Sequence, residues 1–331
     1  MILIVLLCIA LLLVLAAEFI NGWTDAPNAI ATVVATGVLP LSIAVPMAVL
    51  LNIAGALSGT AVAATIGKGI VTTESVTIPA IAAAMISIIG WGIFAAYRGL
   101  PISKSHALVA GLAGAAIAGG GFDSLLWAGW EKILIGMALS VIAGFGIAFL
   151  IGKTVIALAA SASPARAKIG FDVAHIFTAG TMAFAHGLND GQKFIGIFTL
   201  VLVLSGHVQG FNIPWWVIIL CGLTMGLGTS LGGWRIIATI GKRMVKIQSW
   251  QGFAATSAAS STIIVASVFG VPLSTTHTIT TAIAGASSSR RVGDVKWGVL
   301  GSVVRGWLLT FPICGALAFV AAFLANHAFL S

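Results

Sequence analysis

His186-Gly187-Leu188-Asn189-Asp190-Gly191-Gln192-Lys193 and Asn21-Gly22-Trp23-Thr24-Asp25-Ala26-Pro27-Asn28 are two versions of one motif, with Asp25 aligned on Asp190 and Gly22 on Gly187. A second mark follows each copy. Pro101-Ile102-Ser103-Lys104-Ser105-His106-Ala107 matches Pro272-Leu273-Ser274-Thr275-Thr276-His277-Thr278, and the string Ala-Thr-Ile-Gly-Lys stands between the marks at 64 to 68 and again at 238 to 242. Marks that recur in one order describe a duplicated chain. Each half carries a carboxylate motif and a hydroxyl-rich motif inside apolar sequence, the pattern of a transporter whose substrate lies between two repeats.

The surrounding composition sets the solvent. Hydrophobic residues make up 59% of the 331, charged residues only 7%, and the mean hydropathy is +1.13; a soluble domain carries about a quarter charged residues. The chain therefore reads as an all-α polytopic membrane protein. About ten apolar segments reach or approach the roughly 20 residues a helix needs to cross a bilayer. They lie near 2 to 20, 41 to 66, 76 to 97, 102 to 119, 130 to 152, 171 to 205, 214 to 233, 251 to 269, 273 to 288 and 297 to 326. The stretch from 171 to 205 is too long for one straight span and should break at its Asp motif, as the first segment should just beyond residue 20. The N-terminal run lacks the basic residues that precede a signal peptide's apolar core, so it reads as a retained span. Cys8, Cys221 and Cys314 show no metal-ligand spacing and read as packing residues.

A net charge of +8 matters here through its distribution among loops, not as a sign of nucleic-acid binding. With about five spans per half and an external N-terminus, Arg98, Lys104, Lys153, Arg166, Lys168, Arg235, Lys242, Arg243, Lys246, Arg290, Arg291 and Lys296 are cytoplasmic, Lys68 and Lys132 are external, and Lys193 and Arg305 lie within spans. Both termini are then outside. An odd number of spans per half inverts the second copy, giving two inverted-topology repeats with broken helices or helical hairpins. The predicted organisation is a first repeat at 1–152, a cytoplasmic linker at 153–169 and a second repeat at 170–331. Tryptophans 127, 130, 215 and 216 fall at external span ends and 234, 250 and 297 at internal ones, as interface anchors do.

Burying Asp25 and Asp190 in apolar sequence costs roughly 2.5 to 3.5 kcal/mol each on insertion scales, so each needs a partner. Gly22, Gly187 and Pro27 are residue types found where a helix unwinds. Unwinding would free carbonyls to join Asp25, Thr24, Asn28, Asp190 and Asn189 in an oxygen cage for a small hard cation. The competing reading is a packing salt bridge, Asp25 to Lys193 or Asp190 to Arg305. Ser103, Ser105, Ser274, Thr275 and Thr276 follow a proline and precede small-residue helical sequence, the pattern of a helix N-terminus. Such a terminus attracts anions, and hydroxyls add donors suited to phosphoryl or sulfuryl oxygens. Plain N-capping accounts for the same residues equally well. His106 and His277 read as structural, the alternative being that they orient the tip by hydrogen bonding. Gln192 and Lys193 could supply an amide and a charge to the substrate, or Lys193 could snorkel. Lys104 stands either on the anion or in a cytoplasmic loop, and Glu18 is either a proton or cation site or a bundle-interior residue. His175, His207 and His327 have no copies and read as interface residues. Gly111 to Gly121 reads as close helix packing, since no GxxxxGK[ST] pattern is present.

These motifs resemble those of the inorganic phosphate transporter (PiT) family, whose halves each carry a Gly-x-Asn-Asp-like signature and whose second half often reads His-Gly-x-Asn-Asp-Ala-Gln-Lys, close to His186 through Lys193. Leu227 through Arg235 and Val271 through His277 are also similar to the family's second-half pattern, and the resemblance covers nearly the whole chain. It implies uptake of inorganic phosphate, with sulfate carried by some relatives, coupled to sodium ions or protons and commonly by a homodimer. It implies no enzymatic activity and no cofactor. Asp25, Asn28, Asn189, Asp190 and Gln192 fall on the family's ion and substrate motif, and Ser103, Ser105, Ser274, Thr275 and Thr276 on its anion-binding tips. Thus Asp25, Asp190, Asn189 and Thr24 are the expected coupling-ion residues, while the tip hydroxyls with Asn28 and Gln192 are the expected substrate residues. The chain departs from the pattern at Thr24, at Pro27, at Lys104 inside a tip, and at 251 to 257, which lack a glutamate. A sulfate permease of the same fold is the alternative, and an anion channel a weaker one, having little use for paired buried carboxylates. A hydrolase needs one constellation, not two copies.

Overall fold

In hydrocarbon each backbone N–H and C=O must find its partner inside the segment, so the apolar runs fold as helices. The computed structural model describes residues 2–25, 27–161 and 163–330. In chain order the helices are α1 (Ile2–Asp25), α2 (Pro27–Ala35), α3 (Leu41–Leu57), α4 (Ala61–Gly69), α5 (Ile78–Arg98), α6 (Lys104–Gly120) and α7 (Trp127–Ala159). Then follow α8 (Pro164–His186), α9 (Gln192–Leu204), α10 (Trp215–Ser230), α11 (Trp234–Ala238), α12 (Ser249–Val268), α13 (Thr275–Ser288) and α14 (Trp297–Leu330). A π-helical turn, Gly187–Gly191, joins α8 to α9, and another, Thr239–Arg243, follows α11. The β pairing among the described residues consists of two single bridges, Val71 to Leu125 and Val245 to Val295, which occupy equivalent places in the two halves.

By length and composition this is a multi-pass membrane protein, though its segments are not uniform spans. Leu3–Ala35, Ile78–Arg98, Trp127–Ala159, Pro164–Leu204 and Trp297–His327 are each long and apolar enough to cross a bilayer. The pair α3 and α4 is bent by 66°, and α10 and α11 by 63°. The second bend falls on Gly232 and Gly233, whose φ of +83° and +47° a side chain would resist. The segments expected at 102 to 119, 251 to 269 and 273 to 288 are α6, α12 and α13, shorter or more polar helices enclosed by the others. Trp127, Trp215, Trp234 and Trp297 are exposed and open α7, α10, α11 and α14. Ile142, Leu150, Val268 and Leu308 also point outward, where apolar surface meets lipid.

Advancing seven helices through the chain carries α1 onto α8 and α7 onto α14, and the packing follows the same exchange. α1 packs on α5 and α10 as α8 packs on α12 and α3; α6 lies on α14 as α13 lies on α7; α4 meets α9 as α11 meets α2. One buried apolar cluster draws on α1, α4, α5, α6, α9 and α10 with the end of α14. The other draws on their counterparts α8, α11, α12, α13, α2 and α3, with Ala148 of α7. Neither half could bury its core alone.

The repeated glycine has a different cause from the one expected. α1 continues helically through Gly22 to Asp25, and the second motif stays helical through the π turn, so among the described residues the glycines do not unwind either helix. A Cβ at Gly22 would overlap the Met225 carbonyl of α10, and one at Gly187 the Asn52 carbonyl of α3. Reciprocally, a Cβ at Gly228 would strike the Phe19 carbonyl and one at Gly55 the Phe184 carbonyl. These glycines let paired backbones touch. The connection between the halves is also more helical than its polarity suggests, since α7 runs past Lys153 to Ala159 and α8 opens at Pro164. Cys221 and Cys314 are buried, whereas Cys8 is exposed. His175 sits inside the bundle, its Nε2 3.0 Å from Thr32 Oγ1, and not at an interface.

Candidate functional site

The N-termini of α6 and α13 meet inside the protein. Ser103 and Ser274 cap them, each hydroxyl accepting from the N–H of the histidine three residues on (3.2 Å in both). The two caps are themselves bonded, Ser274 Oγ donating to Ser103 Oγ at 2.8 Å. The Ser274 N–H donates to Ser140 Oγ at 3.1 Å. Capping and juxtaposition therefore coexist: the hydroxyls satisfy their own helices and bring two positive dipole ends together. Behind them His106 and His277 are in edge contact with centroids 4.3 Å apart, and His277 stacks on Trp307 at 3.7 Å. Both rings are buried, and His106 Nδ1 and Nε2 and His277 Nε2 have no hydrogen-bond partner.

Both aspartates reach these tips. Thr276 Oγ1 donates to Asp25 Oδ2 at 3.1 Å, and Thr275 Oγ1 to Asp190 Oδ2 at 2.7 Å. Each carboxylate also holds a lysine. Lys104 Nζ lies 3.5 Å from Asp25 Oδ1, and Lys193 Nζ lies 2.5 Å from Asp190 Oδ1. Lys193 further donates to Ser105 Oγ at 2.5 Å and to the Leu273 carbonyl at 2.7 Å. All four charged groups are at most 2% exposed. Salt bridges thus exist, but between other partners than expected: Arg305 is exposed, and Lys104 is buried at the tip, not in a cytoplasmic loop. An unpaired charge at this depth would be strongly destabilising, and the two matched pairs make the cluster neutral.

The remaining expected residues divide. Asn28 Nδ2 donates to Thr276 Oγ1 at 2.9 Å, putting Asn28 on the Asp25 tip. Ser105 donates to the Leu273 carbonyl at 2.9 Å, bridging the two tips. Thr24 turns its hydroxyl back to the Ile20 carbonyl (2.7 Å) and stays 3.4 Å from Asp25 Oδ1. Asn189 donates to Ser267 Oγ at 2.8 Å, and its Oδ1 has no hydrogen-bond partner. Gln192 Oε1 accepts from the Val62 and Ala63 N–H groups (2.9 and 3.4 Å) and so caps α4. Asn52 was not anticipated. It is fully buried, its Oδ1 lies 2.9 Å from His186 Nδ1, and His186 Nε2 in turn lies 3.2 Å from Asp190 Oδ2. A lone amide in the apolar run of α3 was a readable signal. Ser140 and Ser267 carried none, each being an ordinary serine until the fold brings it to its partner.

Chemically, the site offers two converging helix N-termini, hydroxyl donors and two ammonium groups, which suit an anion, beside two carboxylates, which suit cations. Among the described residues, no group of three or more His, Cys, Asp or Glu side chains could hold a metal ion. Comparison with known proteins agrees with this chemistry. The model of the phosphate transporter family matches residues 21–166 and 154–318. A probable low-affinity inorganic phosphate transporter of Bacillus subtilis is 38% identical over 332 residues, covering 99% of both chains. One from Rhizobium meliloti is 39% identical over 311 residues, 93% of both. The solved structure of a sodium-dependent phosphate transporter superposes with a TM-score of 0.88 over 97% of this chain and 99% of its own, at 22% identity, which establishes the shared fold. The chain belongs to the phosphate transporter family.

Proposed function

We propose that this protein is a secondary active symporter that brings inorganic phosphate across the plasma membrane, driven by a sodium or proton gradient, as a homodimer with both termini outside. The repeats at 1–152 and 170–331, joined through 153–169, exchange helices, and the units that move against each other are the two cores so formed, each built from both repeats. The observation that carries the reading is the meeting of two helix tips with two lysine-paired aspartates. Anion and cations would enter by exchange of partners. Phosphate bound to the tips through Ser103, Ser105, Ser274, Thr275, Thr276 and Asn28 draws Lys104 and Lys193 toward itself, and Asp25 and Asp190, with Thr24 and Asn189, are left to the coupling ions. Gln192 supports this by holding α4 against α9.

Electrostatics supports coupling. Each negative charge entering a negative interior costs about 2.3 kcal/mol per 100 mV, so divalent phosphate alone faces nearly 5 kcal/mol. Two monovalent cations cancel that charge, and a third makes uptake electrically driven. The test is labelled-phosphate uptake into proteoliposomes, with sodium replaced by choline at two pH values and with excess sulfate as competitor. Saturable, gradient-dependent accumulation that sulfate fails to suppress is expected. Accumulation suppressed equally by sulfate would reassign the substrate to sulfate, and uptake that neither saturates nor accumulates would indicate a channel.

A further inference from the structure

A cavity of about 770 Å³ lies away from the aspartate site, where the connection between the repeats crosses the bundle. Its wall includes Ile156 of α7, Lys168 and Phe171 of α8, Ile247, Trp250 of α12, and Arg290 just beyond α13. That volume is within the range of ligand pockets. Apolar and cationic groups share the wall. Lys168 is held by Asp172 at 2.6 Å, but Arg290 makes no ion pair among the described residues. Arg166, Lys246 and Arg291, each next to a wall residue in sequence, are exposed. α8 opens at Pro164 without a side-chain cap, which leaves N–H groups of its first turn for an anion. The fold itself does not require these cations. In the aligned first half, Gly119-Gly120-Gly121 stands where the second half has Arg290 and Arg291, and Thr72 stands at the place of Lys246. Basic loops on one side follow from the rule that orients membrane proteins, but that rule does not account for a cavity between them.

We propose that this cavity holds the headgroup of an anionic phospholipid, its phosphodiester on Arg290 and the first turn of α8, its glycerol and upper acyl carbons against Ile156, Phe171 and Trp250. Charge complementarity selects the headgroup, as in other basic pockets between membrane helices. The apolar wall selects the source of the phosphate. A free anion would leave Ile156, Phe171 and Ile247 facing water, whereas acyl carbons cover them. Leu158, Ile169 and Val173, one or two residues from the wall, are exposed apolar side chains, so the cavity adjoins surface that meets lipid. A lipid seated there ties the crossing between the repeats to α13, whose opposite end is the Ser274 tip.

The experiment measures radiolabelled phosphatidylglycerol bound to the purified full chain in an uncharged detergent. Unlabelled phosphatidylglycerol, phosphatidylcholine with the same acyl chains, and inorganic phosphate are the competitors, all at one ionic strength. Saturable binding is expected, displaced by phosphatidylglycerol at least about fivefold more readily than by phosphatidylcholine and not displaced by inorganic phosphate. Arg290→Gln should weaken binding about fivefold by removing one charge. Ala159→Trp should weaken it at least as much by filling the cavity with every charge in place, and Lys132→Gln, at the other end of α7, should leave it unchanged. Should Ala159→Trp not fold, Ala167→Trp on the facing wall replaces it. Equal displacement by phosphatidylcholine overturns the proposal, as does a loss with Lys132→Gln as large as with Arg290→Gln. Binding that ignores the tryptophan overturns it too, and displacement by inorganic phosphate would make the cavity a site for the free anion instead.

Discussion

The Asp25 and Asp190 clusters occupy equivalent places in the two halves yet are held differently. Asp190 is gripped at 2.5 Å by Lys193, at 2.7 Å by Thr275 and flanked by His186 at 3.2 Å. Asp25 has Thr276 at 3.1 Å and Lys104 at 3.5 Å. The lysine itself has changed place. In the second half it stands in the carboxylate motif, at the position of Asn28; in the first it stands in the tip, at the position of Thr275. Each half thus keeps one carboxylate and one ammonium, by different residues. Charge neutrality in a low-dielectric interior constrains the sum and leaves the positions free. The second cluster is the tighter of the two, and the proposed exchange of partners would begin at the looser first one.

Removing each carboxylate in turn has the largest effect and separates the two clusters. Asp190→Asn strands a buried ammonium held by short contacts and should cost about 3 to 5 kcal/mol, read from unfolding in detergent. Asp25→Asn also strands a buried ammonium, Lys104, but one held at the longer 3.5 Å, and should cost less, about 3 kcal/mol. Equal losses would show that the clusters are energetically alike. A finer test rebuilds one cluster as the other. Lys104→Thr should destabilise the protein, and adding Asn28→Lys should restore part of the loss, with a coupling of about 0.5 to 3 kcal/mol in the double-mutant cycle; simple additivity would deny that the two lysine positions are interchangeable. The smallest effect belongs to Arg305, which is exposed and outside both clusters. Arg305→Gln should leave unfolding and phosphate uptake unchanged, and a loss of uptake would restore it as a partner of the site.

The sequence made the helical class, the duplication and the meeting of carboxylate and hydroxyl motifs legible, because recurrence in one order survives without any knowledge of packing. Ser103 and Ser274 read equally as caps or anion donors, and the structure shows why the choice was false: a capping hydroxyl can stand on a helix whose end faces another. What stayed hidden depends on distance in three dimensions. Asp25 finds its lysine 79 residues away and its threonine 251 away. Gly22 and Gly187 looked like hinge residues because glycine serves both unwinding and close approach, and only the facing carbonyls of Met225 and Asn52 decide between them. That Gln192 gives its oxygen to the N-terminus of α4 is visible only once α4 is placed against α9.

In the proposed mechanism, paired aspartates at converging helix tips couple cation entry to phosphate entry. Gradient-driven uptake of labelled phosphate by the Asp25→Asn, Asp190→Asn double variant in proteoliposomes tests it most directly, with insertion and folding verified beside wild type. Uptake falling to the level of protein-free vesicles is the expected result. Accumulation at the wild-type rate by a correctly folded double variant would contradict it.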